Sequence, residues 1–192
     1  EVITMGCRYC SSESVFFRKI SNEHLCKEHF ILSIENKIRK TIRKHKMFTP
    51  KDKVVVGVSG GKDSLTTLYN IIHIQREYPQ SPEVEAILID EGIKSYRAES
   101  VDIAKMICHE WNVPLHIVPF KSVFGSELDN LIEPLKKINT NPCTVCGTVR
   151  RRLLNDKALE LKADRLAIGH NLDDVTETLM QNVLRNDLDK II

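Results

Sequence analysis

An α/β fold is what this sequence predicts: a parallel sheet with helices on both faces, carrying a small metal-binding knuckle at the N-terminal end. Three observations carry that expectation. β-Branched apolar runs alternate with stretches of helical spacing from residue 53 onward. The first of these runs ends in a glycine-rich loop, and four Cys and His residues near the start keep the spacing of a tetrahedral metal site.

The chain has 192 residues, 42% of them apolar, enough for one ordinary core and a small appendage. A net charge of +2 gives no global nucleic-acid signature, yet Lys37 to Lys53 holds eight Lys/Arg against the single acid Asp52. Without a bilayer-length apolar run or a signal-peptide pattern, a cytoplasmic chain with no membrane partner is expected. The organisation reads as a zinc-binding module at 1–30, a basic amphipathic linker helix at 31–50, and a catalytic domain at 51–192. In the module, "CRYC" (Cys7, Cys10) and "CKEH" (Cys26, His29) are two ligand pairs at x2 spacing, fifteen residues apart, the pattern of a Cys3His zinc site. Zinc there would supply folding energy that so short a segment cannot draw from a core. All four positions would be filled, so the site would be structural. His24 reads as a surface histidine.

In the linker, Phe30, Ile34, Ile38 and Ile42 recur every fourth residue with Lys/Arg on the other faces, and Pro50 ends the helix. The larger domain then reads as strand 53–58, helix 64–77, a Pro-Gln-Ser-Pro turn, strand "VEAILI" ending at Asp90, helix 97–111 and strand "LHIVPF". An excursion over 121–143, long enough to be a functional loop, precedes a helix at 145–162, strand "RLAIGH" and a last helix from 173. Ligands of such sheets sit beyond the carboxyl ends of the strands, where Ser59–Ser64, Asp90–Gly92 and Gly169–Asp174 all fall.

"VVVGVSGGKDSL" (54–65) runs from buried strand through Gly60 and Gly61 into a helix, which places backbone N–H groups and a dipole end where an anion would bind. Val56 and Asp63 stand where the Walker pattern needs Gly and Ser/Thr, so the motif is not Walker A. It resembles instead the SGGxDS loop of PP-loop ATP pyrophosphatases, enzymes that cleave ATP between the α and β phosphates. A second Cys pair, Cys143 and Cys146 in "NPCTVCGTVRRR", cannot close a structural zinc site alone. A redox dithiol, a persulfide-forming pair and part of an iron-sulfur cluster all stay open on the residues themselves. Cys108 reads as a core cysteine.

The N-terminal knuckle, "SGGKDS", "LIDEGI", "CTVCGTVRR" and "GHNLDD", in that order, resemble the TtcA/TtuA family of tRNA thiolation enzymes, in particular its 2-thiouridine branch. The likeness runs over nearly the whole chain. It implies a PP-loop, adenine nucleotide alpha-hydrolase-like domain that binds ATP through Gly57, Val58, Ser59, Gly60, Gly61, Lys62, Asp63, Ser64, Arg150 and Gly169. It implies catalytic roles for Asp63, Arg150 and Asp174, with Asp63 binding Mg2+ or positioning ATP, and two ligands of an iron-sulfur cluster in Cys143 and Cys146. The family's third cluster cysteine and its C-terminal zinc ribbon are not in this sequence, so a truncated chain is expected. Capping of the last helix is expected of Asp173. The implied reaction is ATP-dependent adenylation of a tRNA uridine carbonyl followed by sulfur transfer. Partners would be tRNA, held by the basic helix, and a sulfur donor, either sulfide or a ubiquitin-like carrier, with a homodimer as the family's usual state. The alternatives are a tRNA cytidine thiolase of the same family, a PP-loop amide ligase acting on a small molecule, and a non-enzymatic zinc-and-nucleotide module.

Overall fold

The computed structural model describes residues 6–92, 97–125, 128–137 and 142–186, and the chain divides into two compact units, Glu1–Thr49 and Pro50–Ile192. In the first, the antiparallel pair β1 (Phe16–Arg18) and β2 (Glu23–Leu25) is followed by α1 (Lys27–His45). Glu23 holds this unit together: its carboxylate pairs with Arg8 at 3.1 Å and Arg18 at 3.3 Å and accepts a hydrogen bond from the Tyr9 hydroxyl at 3.0 Å. α1 begins four residues before the expected linker, because Cys26 is its N-cap and His29 lies in its first turn. Phe30, Ile34, Ile38 and Ile42 are half-buried rather than buried, and Phe30 meets Phe16 at 4.5 Å between ring centroids. Arg43, Lys44 and His45 in the last turn complement the negative end of the helix dipole.

The second unit alternates strand and helix as its apolar runs dictate: β3 (Val54–Val58), α2 (Lys62–Arg76), β4 (Glu85–Asp90), α3 (Arg97–Glu110) and β5 (Leu115–Pro119) come first. Then follow α4 (Lys121–Phe124), α5 (Leu128–Lys137), α6 (Pro142–Glu160), β6 (Arg165–Ile168) and α7 (Leu172–Leu184). The sheet is parallel throughout, in the order β5-β4-β3-β6. Strand parity divides the core. Val55, Ile87 and Ile89 pack with Phe120 against Val149, Leu153 and Ala158 of α6, while Val54, Val56, Ala86 and Leu88, also fully buried, supply the opposite face. α2 packs on β3 and α3 on β4.

The described part of the 121–143 excursion holds two short helices, with Pro134 inside α5. α6 starts at Pro142, earlier than the expected 145. Proline fits a first helical turn, where its missing N–H costs no hydrogen bond, so "CTVC" becomes helix rather than loop. After β5 the chain returns across β4 and β3 to place β6 on the far side. That reversal creates a switch point between the carboxyl ends of β3 and β6, where such sheets bind ligands.

Candidate active site

At this switch point the glycine loop is folded by its own serines. Ser64 Oγ donates to the Gly61 carbonyl at 2.9 Å and accepts from the Ser59 amide at 3.1 Å, which curls residues 59–64 around the start of α2. α2 begins at Lys62, two residues ahead of expectation, because Gly61 adopts an extended N-cap conformation with no side-chain cap. The first-turn amides are thus left to a ligand. Gly60 has φ +78°, and a Cβ there would run into the Ser100 carbonyl, so only glycine fits. Gly169, from the end of β6, lies so close that a Cβ would stand 2.7 Å from the Ser64 amide nitrogen.

The cleft between these segments is lined by Gly57, Val58, Ser59, Gly61, Asp63, Ser64, Arg150 and Gly169, all anticipated, together with Ile89, Leu154, Ile168 and His170, which were not. Ile89, Leu154 and Ile168 add apolar walls contributed by three separate elements, a juxtaposition that no local motif encodes. His170, by contrast, stands within "GHNLDD". Gly60 and Lys62 belong to the loop without lining the cleft. Lys62 is largely exposed, with its ammonium on Asp63 at 3.0 Å.

One group joins this cleft to Cys146. Arg150 lines the cleft, its Nε pairs with the fully buried Glu91 carboxylate at 2.8 Å, and its Nη2 donates to Cys146 Sγ at 3.6 Å. The i, i+4 spacing on α6 brings Cys146 and Arg150 together, and the tip of β4 delivers Glu91. Cys146 is buried in the α6 core, and Cys143 falls in the first turn of the same helix, its side chain outside the described residues. Cys146 thus presents a buried thiol, a soft donor, beside a guanidinium.

Capping of α7 differs from expectation. Asn171, not Asp173, is the N-cap, accepting from the Asp173 and Asp174 amides at 2.8 and 3.1 Å. Asp174 Oδ2 in turn accepts from the Asn171 amide at 2.8 Å, completing a capping box. Its carboxylate is held in one orientation, outside the lining of the cleft itself.

In the N-terminal unit, Cys7, Cys10, Cys26 and His29 bring their donor atoms within 4.8 Å of one another. A zinc tetrahedron with ordinary bond lengths has S···S edges of about 3.8 Å and S···N edges of about 3.6 Å. The observed Cys10–Cys26 separation is 3.7 Å, and Nδ1 of His29 lies 3.6 Å from Cys7, 3.6 Å from Cys10 and 3.2 Å from Cys26. Burial pushes the Cys7 thiol up, but the Cys26 and Tyr9 amides and the neighbouring thiols more than offset it, bringing it to about 6. Cys108, by contrast, is buried in the sheet domain, where desolvation pushes it up to about 11 and leaves it inert.

A doubly covered parallel sheet with an SGGKDS loop at its switch point defines a PP-loop nucleotide-binding protein, and the chain belongs to that family. The family model described as "PP-loop domain" matches residues 31–190. Residues 7–31 match a second model, "2-thiouridine synthetase TtuA, N-terminal LIM domain". Over 186 residues the chain is 38% identical to a "probable sulfurtransferase" of Methanocaldococcus jannaschii, covering 95% of this chain and 54% of that protein. It is 33% identical over 186 residues to "Cytoplasmic tRNA 2-thiolation protein 1" of Oryza sativa subsp. japonica, covering 96% and 51%. Among solved structures, the U34-tRNA thiolase NcsA from Methanococcus maripaludis with its 4Fe-4S cluster superposes with a TM-score of 0.83 at 39% identity, over 98% of this chain and 61% of that one. An NH3-dependent NAD synthetase from Campylobacter jejuni, with a TM-score of 0.54 and 24% identity over 73% and 56%, shares the fold alone. The chain spans about half the length of the curated relatives it matches.

Proposed function

We propose that this chain carries the nucleotide- and sulfur-handling half of a cytoplasmic tRNA 2-thiouridine synthetase, which adenylates a uridine carbonyl oxygen with ATP and replaces that oxygen by sulfur beside Cys143 and Cys146. The observation that carries the reading is Arg150, whose guanidinium lines the glycine-loop cleft and touches Cys146 Sγ at 3.6 Å. An amide ligase or a simple binding module has no use for a buried thiol at that point.

Oxide is too poor a leaving group for sulfide to displace from a uridine carbonyl, whereas AMP leaves readily. Attack of the carbonyl oxygen on the α-phosphorus expels pyrophosphate, and the uracil ring must lose its N3 proton as the new O–P bond forms. The loop amides of 59–64, Lys62 and Arg150 spread the charge of the departing pyrophosphate, and Asp63 supplies a carboxylate for Mg2+. Asp174, just beyond the cleft lining and with Oδ2 engaged by the capping box, offers its other carboxylate oxygen as the base that takes the N3 proton. Sulfide then adds to the activated carbon, the C–O bond breaks with AMP as leaving group, and the proton returns to N3. Cys143 and Cys146 would hold an iron-sulfur cluster together with a third ligand from elsewhere, and the cluster would supply a Lewis-acidic iron for sulfide. Zn2+ in the Cys3His knuckle is structural.

On α1, Asn36, Arg39, Lys40, Arg43 and Lys44 form one basic helix face suited to tRNA phosphates, giving affinity without base readout. Sulfide, free or delivered by a ubiquitin-like carrier, is the donor, and the enzyme works as a homodimer. Among the described residues no helix is long and apolar enough to cross a membrane. The test is nucleoside mass spectrometry after anaerobic incubation with ATP, magnesium, sulfide and an unmodified tRNA transcript. 2-Thiouridine should form, and Asp174→Asn should slow its formation about a hundredfold or more. No thionucleoside from cluster-loaded protein contradicts the reading.

A further inference from the structure

We infer that Glu91 is a positioning residue that holds the Arg150 guanidinium between the nucleotide cleft and Cys146, so that one side chain serves both halves of the reaction. The inference rests on the function proposed above, and its geometry is independent of any bound group. Glu91 is fully buried at the tip of β4, yet it is a carboxylate. A buried carboxylate is costly unless a cation pairs with it, and Arg150 Nε lies 2.8 Å from the Glu91 carboxylate, a contact by charge and distance. The guanidinium is planar, so fixing Nε on Glu91 fixes the direction of both remaining nitrogens. One of these, Nη2, reaches Cys146 Sγ, and the side chain is still about half exposed where it borders the cleft.

Without the carboxylate, the contact that ties Arg150 down among the described residues is the weak one to sulfur, and its long side chain regains rotamer freedom. The pairing has a second consequence. Glu91 places a negative charge beside a phosphate cleft, which by itself repels ATP. Removing its charge should therefore leave ATP affinity unchanged or improve it while turnover falls. Loss of a mere packing contact would weaken both together.

Two measurements test this on the same proteins. ATP binding is followed by calorimetry on iron-free protein, and tRNA-dependent AMP release on cluster-loaded protein, for wild type, Glu91→Gln, Arg150→Met and the double variant. For Glu91→Gln we expect an ATP Kd equal to or below that of wild type and AMP release slowed about 30-fold, less than the roughly hundredfold or more of a donor removed outright, because the guanidinium is disoriented and not lost. The double variant should be no slower than Arg150→Met, because the role assigned to Glu91 in turnover runs through Arg150. An ATP Kd raised more than about threefold in Glu91→Gln, AMP release within about threefold of wild type, or additive losses in the double variant each overturn the assignment. Should Glu91→Gln misfold, Glu91→Gln combined with Arg150→Met removes both charges, and a loss beyond that of Arg150→Met alone still counts against it. If wild type makes no thiouridine, the proposed function fails, while the calorimetric comparison still reads on Glu91.

Discussion

The two candidate sites of this chain are built in opposite ways. In the N-terminal unit all four donors come from residues 7–29, and the ligand set is complete within one short stretch of chain. The switch-point cleft draws on β3, the start of α2, the tip of β4, α6 and the end of β6, segments separated by more than a hundred residues. A local site depends on its ligand for its fold, whereas a dispersed site depends on the fold for its geometry. Perturbing each should therefore have different consequences.

The largest effect is expected in the knuckle. Structural zinc contributes about 10–16 kcal/mol of apparent folding energy in modules of this size, so a strong chelator, or Cys26→Ser, should unfold β1 and β2. Amide hydrogen exchange should show protection lost over residues 7–29 and kept in the sheet domain. Equal loss in both units would erase the contrast.

The cleft should respond through function at modest structural cost. In Gly169→Ala the new methyl would meet the Ser64 backbone at 2.7 Å and push the end of β6 away from the start of α2. ATP affinity should fall about tenfold or more, with the sheet still folded, as calorimetry and thermal melting would show together. Affinity equal to wild type would mean that β6 does not define the cleft.

The smallest effect is expected at the opposite edge of the sheet, where Glu85 pairs with His116 at 2.6 Å and with Lys53. Burial raises the Glu85 carboxyl, but Lys53 and His116 outweigh it and hold it below the usual carboxylate range. The pairing therefore stabilises the fold above the ordinary carboxylate pKa, and that contribution is lost as pH falls through the lowered value. Lys53→Met should move the acid-unfolding midpoint to higher pH by less than about one unit, with ATP binding at neutral pH unchanged. A shift in the opposite direction would contradict the pairing.

How much of each site was legible in the sequence follows from the same contrast. Cys7, Cys10, Cys26 and His29 were readable as one donor set because metal coordination imposes a spacing on a short segment. The strands were readable because burial on both faces leaves continuous apolar runs such as 54–58 and 86–89. Glu91 was not singled out, although "LIDEGI" contains it, since an acid at a strand end reads as solvated until tertiary structure closes over it. Asn171 was overlooked as the cap because Asp173 and Asp174 offered the same chemistry two and three residues later. The start of α6 was misplaced because Pro142 reads equally as a loop residue and as a first helical turn.

The central claim is that adenylation and sulfur transfer occur at one carbonyl in one cleft, and the fate of a single oxygen atom tests it. A tRNA transcript carrying heavy oxygen at uridine O2 would be incubated anaerobically with cluster-loaded protein, ATP, magnesium and sulfide, and the released AMP analysed by mass spectrometry. The account predicts AMP that carries the heavy oxygen, in step with the 2-thiouridine formed. AMP without the label, alongside thiolated tRNA, would show that the carbonyl oxygen never reached the α-phosphorus and would contradict it.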